Sequence, residues 1–188
     1  MIKKFFEPHS SIIFARWILG NSASNAICPL KLQKLAFYCY AAATSRDMED
    51  ELGDITFEAW KYGPVVVKIY DKYKIHGSGA IPITEKEKKI KYSEKLTKLM
   101  KATLVIYERI SPSNLVRQTH LEDPWIETFN KGNSAISNDL MKSYFKVRFA
   151  ENEIRIPEML SDSGFFEIDN LPIKKFKNLE SLASSFAM

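Results

Sequence analysis

Apolar residues recur at helical spacing over most of this chain, and each such stretch is bounded by helix-start or helix-stop chemistry. Ile13, Phe14, Trp17 and Ile18 share one face at i, i+1, i+4, i+5 spacing, with Ser10 or Ser11 as cap and Gly20-Asn21 as stop. A second helix is predicted to start with Pro29 in its first position, where the missing N–H is no loss, and to run to about Thr44. It carries Leu32, Leu35, Ala36, Phe37 and Cys39 and has almost no polar face over residues 35–43, as expected of a helix surrounded by others. Ala36, Cys39, Ala42 and Ala43 form a small-residue stripe along which a neighbouring helix could approach closely.

The pattern changes over residues 55–60, where Ile55-Thr56-Phe57-Glu58-Ala59-Trp60 alternates like a short strand. Gly63-Pro64 is then expected to open a helix carrying Val66, Ile69, Tyr70 and Tyr73, with the proline keeping Gly63 out of helical geometry. Ile81-Pro82-Ile83 reads as extended and could pair with the strand at Ile55, at an edge because of the proline. Thr84-Glu85-Lys86-Glu87 has the form of a capping box. The next helix, expected to bend near Ser93, aligns Leu96, Leu99, Met100, Thr103, Ile106, Tyr107 and Ile110. Ser111-Pro112, Asp123-Pro124 and Ser137 are start signals for three further helices. The expected fold is mainly α, α+β at most: a compact single-domain bundle of seven helices around a central buried helix, with a small two-stranded β element. Residues 1–150 make the domain and 151–188 a C-terminal extension, set apart by seven acids against four bases and expected to pack back on the domain.

Charge adds asymmetry to this plan. The net +4 equals the excess within residues 85–101, where Lys86, Lys88, Lys89, Lys91, Lys95, Lys98 and Lys101 face Glu85, Glu87 and Glu94. A solvated helix face explains that run better than a nucleic-acid footprint, because acids interrupt it. Residues 46–58 hold six acids against one arginine, and such separation suits a protein partner. Cys28 and Cys39, read as lying on one helix, stand roughly 16 Å apart at about 1.5 Å per residue, too far for a disulfide. With no C-x-x-C, Cys/His cluster or run of about 18 apolar residues, no metal site, cofactor or membrane span is expected, and a cytoplasmic location is.

No nucleophile elbow, phosphate loop, dinucleotide fingerprint or H-E-x-x-H motif occurs. His120, close to Glu122 and Trp125, could act as a base or ligand, but a Thr-His pair at a helix end more often supplies capping hydrogen bonds. An enzyme or small-ligand domain using His120 and Glu122 is one alternative reading, and a nucleic-acid-binding regulator using the Lys86 to Lys101 face is another. Lys31 and Lys34 oppose the dipole at the start of the central helix, which solvated side chains explain and which a salt bridge or partner contact would also explain. Trp60-Lys61-Tyr62 beside Gly63-Pro64 puts two rings at a turn where full burial is hard, and such aromatics anchor interfaces.

Three segments, Leu30-Lys31-Leu32-Gln33-Lys34-Leu35, Glu58-Ala59-Trp60-Lys61-Tyr62-Gly63-Pro64-Val65 with Tyr70, and Thr119-His120 with Pro124-Trp125, resemble the Panacea domain of SocA-like, phage-associated antitoxins in order and spacing. The similarity spans roughly residues 5–149. It implies a helical domain without catalytic residues that neutralises a cognate toxin, usually encoded by the adjacent gene, and in one branch delivers it to a protease. The helix-turn-helix or zinc-finger regions that some members carry for DNA are not read in these 188 residues. The expected partner-binding residues are Lys31, Lys34, Trp60, Lys61, Tyr62, Gly63, Pro64, Tyr70, His120 and Trp125.

Overall fold

The computed structural model describes residues 10–24, 26–84, 89–132, 134–151, 154–157 and 173–176. Among them the elements run α1 (Ser10–Asn21), α2 (Pro29–Thr44), β1 (Glu58–Trp60), β2 (Gly63–Val65), α3 (Val67–Tyr73), α4 (Glu94–Tyr107), α5 (Pro112–Thr119), α6 (Asp123–Asn130), α7 (Asn138–Glu151), β3 (Ile154–Pro157) and β4 (Ile173–Phe176). The chain is mainly α: the described residues hold seven α-helices and two antiparallel pairs, β1 with β2 and β3 with β4.

Helix α2 is the axis of the fold. Cys28, in extended conformation, leads into Pro29, and every residue from Leu32 to Thr44 is buried. The residues of the small stripe are all buried, and the Cys39 thiol lies 3.8 Å from the Met100 carbonyl of α4. Both cysteines are free. Tyr38 of α2 stacks flat on Tyr107 of α4 at 3.8 Å, while Phe37 meets Phe57 and Phe145 edge-on at 5.5 and 5.6 Å. The edge-on pairs are the geometry that adds to the burial of large rings. Ser93, Ser111 and Ser137 accept hydrogen bonds from the amides of Leu96, Asn114 and Leu140, the expected N-cap pattern. Ser93 thus starts α4 rather than bending a longer helix.

Three local expectations fail for identifiable reasons. Gly63-Pro64 does not open a helix: residues 63–65 form β2, and α3 begins only at Val67. Side chains from α2 hold this stretch extended. The strand expected over residues 55–60 is shortened to Glu58–Trp60, and its partner is β2, not Ile81-Pro82-Ile83. The Ile81 amide instead donates to the Ile27 carbonyl, 2.9 Å away, tying that segment to the loop before α2. The capping box at residues 84–87 and the C-terminal extension fall largely outside the described residues.

Candidate partner-binding site

Strands β1 and β2 pair Glu58 with Val65, Ala59 with Pro64 and Trp60 with Gly63, leaving Lys61 and Tyr62 as the turn. Neither turn residue has a positive φ; the left-handed step falls on Gly63, at φ +89°. A Cβ there would lie 2.5 Å from Thr119 Oγ1 and 2.7 Å from Lys34 Nζ. Glycine is required at this position twice over, by conformation and by space.

The hairpin has no open edge. On the β1 side the Ala59 amide donates to Ser134 O and the Ile136 amide to Phe57 O, each at 2.8 Å. On the other side the Gln33 carboxamide does the work of a missing strand, its Oε1 accepting from the Val66 amide at 2.9 Å and its Nε2 donating to the Val66 carbonyl at 3.2 Å. One residue further along α2, Lys34 Nζ donates to the Pro64 carbonyl at 2.9 Å. Opposite them, Trp125 Nε1 donates to the Trp60 carbonyl at 3.0 Å, with the His120 and Phe129 rings stacked on the indole at 4.0 and 4.6 Å. Pro124 at the start of α6 sets where Trp125 stands, and α5 brings Thr119 beneath Gly63.

Burial gives this floor unusual electrostatics. Lys34 is fully buried, no carboxylate within ion-pair range of it occurs among the described residues, and burial lowers its pKa to about 7. His120 is also lowered, by burial first and by the Lys34 charge second, against a hydrogen bond with the Lys61 backbone. Its Nε2 is buried and has no hydrogen-bond partner among the described residues. Glu122 is likewise buried: its Oε1 accepts from the Tyr38 hydroxyl at 3.2 Å and lies 3.8 Å from Arg148 Nε, and burial raises its pKa to about 8. Lys31 donates to the Glu108 carbonyl, and partial burial lowers its pKa. The solvated reading of Lys31 and Lys34 is therefore corrected: both ammonium groups donate to backbone carbonyls, Lys31 from the partly buried first turn of α2 and Lys34 from its fully buried body.

The residues singled out in the sequence divide into two sets. Lys34, Gly63, Pro64, His120 and Trp125 meet beneath the hairpin with Gln33 and Thr119. Lys61, Tyr62 and Tyr70 lie outside, with Tyr62 62% and Tyr70 38% exposed. Trp60 joins the sets: half-buried, it meets Tyr70 at 5.0 Å and donates from Nε1 to Glu58 Oε2 at 2.7 Å. Lys31 stands apart, beside Glu108. No hydrogen bond joins His120 to Glu122: one packs against the hairpin, the other against Tyr38. Sequence reading gave Gln33 no role, although a glutamine among the apolar positions of a buried helix was the signal available. Thr119 had no such signal, since its task depends on Gly63 passing over it. Among the described residues no cluster of metal-ligating side chains occurs, and no helix is long and apolar enough to cross a membrane.

The family model "Antitoxin SocA-like, Panacea domain" matches residues 32–126, just over half of the chain, and takes in the whole clamp from Gln33 to Trp125. No curated protein and no solved structure matches.

Proposed function

Because the chain belongs to the SocA-like Panacea antitoxin family, we propose that it neutralises a cognate toxin by binding it through the β1–β2 hairpin tip and the adjoining face of α3. One observation carries this reading. The fold commits a buried glutamine, a buried lysine and an indole N–H to fixing the backbone of a turn whose own side chains, Lys61 and Tyr62, are exposed. Holding a recognition element rigid lowers the entropy lost on binding. Both edges of the hairpin are occupied, so a partner would be engaged by side chains rather than by an added strand.

The partner is expected to be the product of the adjacent gene, and binding is expected to inhibit it directly; delivery to a protease would use the same surface. Expressing that neighbour alone and with this protein, while following growth and co-purification, tests the proposal. Relief of toxicity by the wild type and loss of relief with Tyr62→Ala would support it. A harmless neighbour that never co-purifies would count against it. Tyr62 is a cleaner probe than Trp60, whose contacts with Glu58 and Tyr70 make it part of the packing.

A further inference from the structure

The geometry points to an acidic, side-chain-presenting surface on a partner protein as the occupant of the hairpin tip and the outer face of α3. This deepens the antitoxin reading and rests on it. Between Glu58 and His76 the chain places four lysines, Lys61, Lys68, Lys72 and Lys74, against two carboxylates. Both carboxylates are engaged locally, Glu58 with the Trp60 indole at 2.7 Å and Asp71 with Lys74 at 2.7 Å. Lys61, Lys68 and Lys72 are exposed and have no ion pair among the described residues. Lys61 sits over the accessible Tyr62 ring at 5.8 Å and Lys72 over the buried Tyr73 ring at 5.8 Å, while Lys74, paired with Asp71, stands over Tyr70 at 5.3 Å and Tyr70 meets Trp60 edge-on.

An exposed tyrosine beside Lys61, with the exposed Lys68 and Lys72 in the same segment, fits a partner that offers carboxylates around apolar or aromatic side chains. A single-stranded nucleic acid would need open ring faces on which to stack its bases. Here Lys61 already stands over Tyr62 and Lys74 over Tyr70, and the Trp60 ring meets Tyr70 edge-on, so these rings are engaged by cations and by each other. A protein partner is therefore favoured over a nucleic acid.

The test uses the full chain and three labelled probes: a random copolymer of glutamate and tyrosine, polylysine, and an oligothymidine of similar length. The copolymer should bind, polylysine should not, and the triple variant Lys61→Glu/Lys68→Glu/Lys72→Glu should weaken copolymer binding by at least about tenfold. The control Lys95→Glu/Lys101→Glu, which reverses charge on α4, should weaken it by less than about threefold. Circular dichroism of each variant checks folding, which these exposed positions should leave unchanged. Absence of copolymer binding, equal losses in the triple variant and the control, or tighter binding of oligothymidine would each overturn the inference. Growth rescue by the wild type decides the antitoxin reading separately, so rescue with no copolymer binding would reject the acidic partner alone.

Discussion

The floor and the tip of one hairpin obey opposite rules. At the floor, the carbonyls of Trp60, Pro64 and Val66 and the amide of Val66 are all bonded to side chains from α2 and α6, at 2.9 to 3.2 Å. At the tip, Tyr62 is mostly exposed and its near neighbour is Lys61. Substitutions at the floor should act through folding, because they strand buried polar groups or create clashes. Substitutions at the tip should act through binding. The segments carrying the family resemblance, around Gln33-Lys34, Gly63-Pro64 and Thr119 to Trp125, mostly build the floor. A floor of this kind can hold different tip residues without changing the fold.

The largest effect is expected at Gly63. Gly63→Val would force a β-branched residue to φ +89° with its Cβ on Thr119 and Lys34, and should cost about 3 kcal/mol or more, seen as a lowered midpoint in urea denaturation. Next comes Gln33→Leu, which keeps bulk but strands both polar groups of Val66. A loss of about 2 kcal/mol in the same assay is expected, and an unchanged midpoint would show that the carboxamide does not hold the hairpin.

Lys34 and Glu122 should leave opposite marks on the pH dependence of stability. Lys34 titrates near 7 when folded against 10.5 as its ordinary value, so between those pH values the unfolded chain binds more protons and stability rises with pH. Glu122 titrates near 8 against 4.5, so between those values the folded chain binds more protons and stability falls as pH increases. Lys34→Met should flatten the alkaline rise and Glu122→Gln the fall toward neutrality, measured as urea midpoints across the range. A Lys34→Met curve that still rises would assign the titration to another group. Smallest in stability, and sharpest as a contrast, is Tyr62→Ala. It should move the urea midpoint by less than about 0.5 kcal/mol while losing growth rescue, whereas loss of both would return Tyr62 to the floor.

Local chemistry located most of the helices, though not where α3 and α4 begin. Pro29, Ser111-Pro112 and Ser137 mark helix starts, and the unbroken apolar run of α2 identifies the central helix, because caps and periodicity depend only on neighbours within a turn or two. The same local logic misread Gly63-Pro64 as a helix start, since a glycine-proline step also fits the entry of a strand. Only the tertiary structure decided between the two. Gln33 reaches Val66 and Lys34 reaches Pro64 across 33 and 30 positions of sequence, and Trp125 reaches Trp60 across 65. A side chain's partner at that range is set by how helices pack around α2. For the same reason the chain's lysines could be counted in the sequence, but which of them is buried beneath the hairpin and which stand free at its tip could not.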